Sequence, residues 1–246
     1  MSDGTLAAAR YLPLGDAALA VEFGDSIDPA TNARVIALAE ALRRAPVAGV
    51  TETVPTFRSL LVHYDPLRRS HDEMVGALRE RVAGLRVAVG QGRRVTIPAC
   101  YEGALAPDLA EVAALTGMTA DEVVQVHAAT EYQVYMLGFL PGFPYMGVLP
   151  ERLRLPRLST PRVRVPPRSL AIATAMTAIY PLESPGGWWL IGTVPVELFD
   201  ITADPPALLR AGDRVRFRAV DRPTFDALRS AWLAGEGRLD VTEAPA

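Results

Sequence analysis

The sequence has 246 residues, half of them hydrophobic and 22% charged, with a formal net charge of −3. That length suits one large domain or two ordinary ones; the charge balance leaves no basic footprint for nucleic acid, and no apolar run approaches the ~20 residues of a membrane-spanning helix. A single cysteine, Cys100, excludes an internal disulfide framework and fits a reducing compartment, so a cytoplasmic location is expected.

The N-terminal Met1-Ser2-Asp3-Gly4 lacks the charged and apolar regions of a signal peptide, so none is expected. All 25 Lys-or-Arg positions are arginine. A chain without lysine has no Walker A lysine, no Schiff-base lysine and no site for biotin attachment. If ATP or biotin takes part in its chemistry, the lysine work belongs to another chain.

Residues 1–92 read as a two-layer α+β domain. Leu19, Val21 and Phe23 alternate along a half-buried strand over residues 17–23. Asp28-Pro29 is an N-cap followed by an N1 proline. The helix that follows puts Val35, Leu38, Ala39 and Leu42 on one face. Strands are expected over 50–54 and 59–64, and Ser70-His71-Asp72-Glu73 is a capping box opening a second helix. Gly90-Gln91-Gly92-Arg93-Arg94 is the expected domain joint.

The second domain is expected over 93–222, with a helix and polar tail over 223–246. A strand should fill 94–100, a short helix should end at Gly117, and the capping box at Thr119 and Glu122 should open another helix running to about Ala129. Seven of the 21 prolines then fall between Pro141 and Pro167. Each interior proline costs a helix ~3 kcal/mol, so short strands joined by rigid turns are expected there. Candidate strands follow at 170–173, 178–180, 188–191, 194–200 and 214–219, a pattern that suggests a barrel.

Few residues carry chemistry. The three histidines are scattered and Cys100 has no CxxC partner, so no metal site is visible. His63 and His71 read as a strand residue and a first-turn helix residue, both facing solvent. His127 lies at a helix end just upstream of an aromatic stretch, and two readings are open: a dipole-facing terminal residue or a site residue. Gly138 and Gly142 permit tight turns, while Phe139, Phe143 and Tyr145 project to one region. That region is either core or the apolar wall of a pocket. Arg157 and Arg162 each follow a proline; they are either solvated turn residues or an anion site of the kind Arg suits.

The stretches 135–145 (Tyr-Met-Leu-Gly-Phe-Leu-Pro-Gly-Phe-Pro-Tyr), Pro156-Arg157, Pro161-Arg162, Ile179-Tyr180-Pro181 and Ser184-Pro185-Gly186-Gly187-Trp188 resemble the family of the 5-oxoprolinase B subunit. That family also takes in KipI-like kinase inhibitors and allophanate hydrolase subunit 1-like carboxyltransferase domains. The resemblance extends upstream through 54–62 and downstream to 209–217. It implies an α+β fold in which an N-terminal α+β domain precedes a cyclophilin-like β-barrel. It also implies partners: a C-type carboxyltransferase chain and an A-type chain of 5-oxoprolinase, hydrolysing 5-oxoproline to glutamate with ATP used by the complex, or a related amide-hydrolysing or carboxyl-transferring complex. The competing class is a KipI-like protein that docks on a histidine kinase. On the first reading Tyr132, Phe139, Phe143, Tyr145, Arg157, Arg162, Gly186, Gly187 and Trp188 bind substrate. His127 is then the candidate general base, as the one near-neutral titrating side chain in the stretch.

One run departs from the family pattern. Family members carry a glycine-rich segment with an Asn-Gln pair between Pro166 and Tyr180. Here Arg168, Ala171, Thr174 and Ala178 stand at the four glycine positions, and Ala175-Met176 replaces the amides. Removing glycines narrows a site that needs close backbone approach. Removing amides should weaken a polar substrate by ~1–3 kcal/mol per unmet group. A changed substrate, or a chain that keeps only its assembly role, is the expected consequence.

Overall fold

The computed structural model describes residues 8–87 and 92–243. Met1–Gly4 and the Gly90-Gln91 part of the expected joint lie outside the described residues, as do the last three residues of the tail. The chain divides into two compact units, Met1–Gln91 and Gly92–Ala246. Among the described residues, no helix is long and apolar enough to cross a membrane.

The first unit is a four-stranded antiparallel sheet with two helices. Its strands are β1 (Arg10–Pro13), β2 (Ala18–Glu22), β3 (Val50–Pro55) and β4 (Ser59–Tyr64); its helices are α1 (Pro29–Arg44) and α2 (His71–Ala83). The sheet order is β1-β2-β4-β3. The register sets Leu19 opposite Val62 and Val21 opposite Leu60, so one face of the sheet is apolar. Val35, Leu38 and Leu42 of α1 and Met74 and Leu78 of α2 close over it. Asp28 caps α1 through the N–H groups of Ala30 and Thr31, and Ser70 with Glu73 forms the capping box of α2. Strand β1 is an addition to the sequence reading. It is a mostly exposed edge strand ending in proline, which weakens the alternation signal.

The second unit contains β5 (Arg94–Cys100), α3 (Leu109–Thr116), α4 (Ala120–Ala129), β6 (Glu131–Leu137), β7 (Pro144–Gly147), β8 (Arg162–Val165), β9 (Ser169–Ala173), β10 (Met176–Ile179), β11 (Ser184–Gly186), β12 (Trp189–Thr193), β13 (Arg214–Val220), α5 (Arg222–Leu233) and β14 (Asp240–Thr242). Eight strands form one sheet in the order β12-β9-β10-β7-β6-β13-β5-β14, with a further pairing of β12 to β5 at Thr193 and Cys100. The β5–β13 pair is parallel and the others are antiparallel. A separate two-stranded sheet pairs β8 with β11.

Two expectations for this unit are corrected. Residues 194–200 are not a strand. Pro195 removes a ladder donor, and the segment is held by an isolated bridge from Phe199 to Ala207 and by burial of Val194, Val196 and Leu198. The polar tail expected after the helix also carries a short strand, because β14 pairs with β5.

Strands β9 and β10 are buried on both faces, and this places the candidate site. Leu170, Ile172 and Ile179 point into the main core with Ile97, Val134, Ile191 and Phe217. Ala171, Ala173 and Ala178 point the other way, into a smaller layer with Phe143, Val165, Tyr180, Trp188 and Leu190.

Candidate functional site

The smaller layer is an aromatic cluster built by three segments. The turn before β7 brings Phe139 and Phe143, β7 brings Tyr145, and the segments flanking β11 bring Tyr180 and Trp188. Ring centroids are 5.5 Å apart for Phe139 and Phe143, 4.9 Å for Phe143 and Tyr145, and 5.1 Å for Phe143 and Tyr180. Trp188 meets Phe143 at 6.0 Å and Tyr145 at 6.1 Å, both edge-on. Phe143, Tyr180 and Trp188 are buried, Tyr145 is half-buried, and Phe139 is 60% exposed.

Backbone geometry at this turn is specific. Gly142 has φ 76° and sits so close to Leu198 and Phe199 that a Cβ would meet each at 2.9 Å. Phe139 has φ 71°, a left-handed backbone that a bulky residue rarely adopts. At the far end, a Cβ on Gly186 would collide with the Tyr180 hydroxyl, so glycine there lets Tyr180 pack against the β11 backbone. Gly187 faces Pro161 at ordinary contact distance, and its carbonyl accepts from the Leu158 N–H.

The two Pro-Arg arginines have different fates. Arg162 forms an ion pair with Asp108, and its second terminal nitrogen donates to the Trp188 carbonyl at 3.3 Å. The other Asp108 oxygen accepts from the Leu190 N–H at 2.6 Å. Asp108 is 5% exposed, so this is a buried clamp on the start of β12 and not an open cation. Arg157 is exposed and lies over the Trp188 ring, 5.9 Å from its centroid. Burial raises the Tyr145 and Tyr180 hydroxyl pKa values, and the nearby Arg157 charge partly offsets the rise at both.

His127 is placed elsewhere. It is wholly buried and bonded at both ring nitrogens: the Tyr101 hydroxyl at 2.9 Å from Nδ1 and Thr177 Oγ1 at 3.0 Å from Nε2. The Thr177 hydroxyl donates to the Ala171 carbonyl at 3.0 Å. It must therefore accept from Nε2–H, which leaves Nδ1 to accept from Tyr101. Phe217 stacks on the imidazole at 5.0 Å, and the buried Tyr132 donates its hydroxyl to the His127 carbonyl. Burial depresses the His127 pKa to about 3. It is a neutral residue of the main core that ties α4 to the β9–β10 hairpin. The structure thus brings together Phe139, Phe143, Tyr145, Arg157, Gly186, Gly187 and Trp188, adds Arg162 as a clamp, and sets His127 and Tyr132 behind the hairpin.

Sequence reasoning missed Asp108 and singled out Ser184 only as part of a motif. Asp108 lies 54 positions before its arginine, and no local pattern links them. The Ser184 hydroxyl is buried with no hydrogen-bond partner among the described residues. Also among the described residues, no group of three or more His, Cys, Asp or Glu could hold a metal ion. A separate cavity of about 620 Å³ between Leu182, Ile201, Pro205, Trp232 and Leu233 is mostly apolar and lies off the aromatic layer.

Comparison with known proteins supplies the family. The family model of the carboxyltransferase domain, subdomain C and D, matches residues 9–209. The 5-oxoprolinase B subunit of Bacillus subtilis (strain 168) is 38% identical over 227 residues, covering 88% of this chain and 95% of the relative. The crystal structure of TTHA0988 is 42% identical with a TM-score of 0.75; it covers 84% of this chain, which spans only 40% of TTHA0988. The urea amidolyase of K. lactis shares the fold, with a TM-score of 0.77 at 20% identity over 96% of this chain and 16% of that one.

Proposed function

The chain belongs to the carboxyltransferase-domain family that includes the 5-oxoprolinase B subunit, and from that membership we propose that it is one component of an ATP-dependent complex that opens an amide or lactam. The carrying observation is the match to the B. subtilis relative over 95% of that protein's length. On this reading the substrate is 5-oxoproline or a close relative. Its ring amide is cleaved by water to give an amino acid, coupled to cleavage of ATP to ADP and phosphate. The partners are a C-type carboxyltransferase chain and an A-type chain of 5-oxoprolinase. Pairing of β12 with β5 supports a further reading, that the second unit closes as a cyclophilin-like barrel.

The residues of this chain do not fit ATP. The chain has no lysine. The N-termini of α1, α2, α4 and α5 are already occupied by the side chains of Asp28, Ser70, Thr119 and Asp221. The residue at the start of α3 is the acidic Asp108. Helix termini so filled offer no cradle for phosphate. ATP is therefore assigned to a partner chain of the complex.

The substrate face, on this reading, is the aromatic layer with Phe139, Tyr145 and Trp188 at its edge and Arg157 above. Arg162, Tyr132 and His127 act as positioning residues, since each is committed to a partner inside the fold. The test is co-purification with the C-type and A-type chains, followed by ATP-dependent release of glutamate from 5-oxoproline. The complex should turn over and the chain alone should not. Robust turnover by the isolated chain would overturn the reading as one component of a complex; a stable complex without turnover would overturn the substrate.

A further inference from the structure

Among the described residues Arg157 makes no ion pair and no hydrogen bond, whereas Arg162, Arg164 and Arg229 nearby in sequence or in the same unit each hold a carboxylate. Its backbone is nevertheless fixed on both sides. The Pro156 carbonyl accepts from the Trp189 indole N–H at 2.8 Å, and the Leu158 N–H donates to the Gly187 carbonyl at 2.8 Å. A solvated turn arginine needs neither restraint. Arg216 and Arg218 are also exposed and, among the described residues, without carboxylate partners, but they stand on the outer side of β13, and no described ring lies beneath them. Among these arginines Arg157 alone combines a held backbone, a free guanidinium and an aromatic platform.

The platform is continuous. Rings pass from Trp188 under Arg157 to Tyr145 and Phe143, and end at Phe139. Phe139 presents its ring to water from a left-handed backbone, and strain of that kind concentrates at ligand clamps. A flat apolar body beside a guanidinium fork matches a planar ring or amide that carries a carboxylate.

We infer that Arg157, held over Trp188, recognises the carboxylate of a small flat carboxylic acid whose body lies along the edge formed by Tyr145 and Phe139. The inference deepens the proposed reading and rests on it for the choice of first probe, 5-oxoproline. It makes Arg157 the specificity-determining residue of the pair and gives Arg162 no direct contact with the ligand.

The test is a titration of the full chain, alone and in the co-purified assembly. The probes are 5-oxoproline, 2-pyrrolidinone (the same ring without the carboxylate) and benzoate. Binding is followed by tryptophan fluorescence and by NMR shifts. 5-Oxoproline should bind about 10- to 100-fold more tightly than 2-pyrrolidinone, the range expected for one charge-assisted pair. Arg157→Ala should remove that preference and Arg157→Lys should restore part of it, while Arg216→Ala should leave it unchanged. Equal binding of the two lactams, or an unchanged preference in Arg157→Ala, overturns the inference even if the assembly hydrolyses 5-oxoproline. Arg157-dependent binding of benzoate, with no turnover of 5-oxoproline, supports the inference and overturns the proposed substrate. Failure of both carboxylates to bind in either preparation overturns the inference.

Discussion

Asp108 and Arg162 form an ion pair across 54 positions of sequence, and the same carboxylate holds the N–H of Leu190. One side chain therefore joins the start of α3, strand β8 and strand β12. Asp108→Ala should cost about 2–3 kcal/mol of stability, because it strands a half-buried guanidinium and a buried N–H together. Arg162→Met should cost at least as much, since it leaves the more deeply buried Asp108 carboxylate without its cation. Urea unfolding of both single variants and the double variant measures the coupling; additive losses would refute the clamp.

His127 links stability to pH. Its pKa falls from 6.5 in the unfolded chain to about 3 on burial. A depressed histidine pKa means that the unfolded chain takes the proton first. The contribution is fully present above pH 6.5 and is lost as pH falls toward 3, with a slope of at most ~1.4 kcal/mol per pH unit. Tyr101 and Tyr132, which face the ring, have raised pKa values from burial and stay neutral through this window. His127→Gln should flatten the dependence of unfolding free energy on pH between ~4 and ~6. An unchanged slope would show that the histidine is not buried neutral.

Two residues of the run 168–178 should respond oppositely to substitution by glycine. Thr174 has φ 52°, where an L side chain is strained. Thr174→Gly should therefore be neutral or stabilising by about 0.5–1 kcal/mol, despite the entropy of glycine. Ala171 lies fully buried in the aromatic layer without such a backbone, and Ala171→Gly should destabilise by about 1 kcal/mol or more. Thermal unfolding of the two variants decides the sign of each.

Gly186→Ala would push a methyl into the Tyr180 ring, where even the carbon bearing the hydroxyl lies only 2.8 Å from the added Cβ. The expected cost is about 1–3 kcal/mol, with Tyr180 displaced from Phe143. Near-UV circular dichroism should report the disturbed rings. A Gly186→Ala chain with native stability and native aromatic signal would rule out the close approach.

Much of the first unit was legible because its signals are local. Asp28-Pro29, the capping box at Ser70 and the alternation of residues 59–64 each fix an element without reference to distant sequence. The same holds for β5, α3 and α4. Elements fixed by long-range pairing were harder. Strand β1 and strand β14 exist because a partner edge accepts them, and residues 194–200 look strand-like while lacking such an edge. At the site, the aromatic clustering of Phe139, Phe143 and Tyr145 was readable from turn glycines. The contrast between Arg157 and Arg162 was not, because Asp108 decides it from a separate helix. His127 was ambiguous for a related reason: a polar residue near a helix end shows its burial only once Tyr101, Thr177 and Phe217 surround it.

Strand β13 begins beyond the residues matched by the family model, yet it lies in the interior of the eight-stranded sheet, between β6 and β5. Its entry is sealed by the ion pair of Arg93 with Asp213, 120 positions apart in the chain. During synthesis β5 leaves the ribosome early and must wait for β13 before its parallel edge is satisfied. Closing so long a loop is slow, and an unpaired edge invites association with other chains meanwhile. A ribosome stalled just before residue 214 would hold a second unit with its central seam open, so chaperone demand should peak late in translation and fall once β13 emerges.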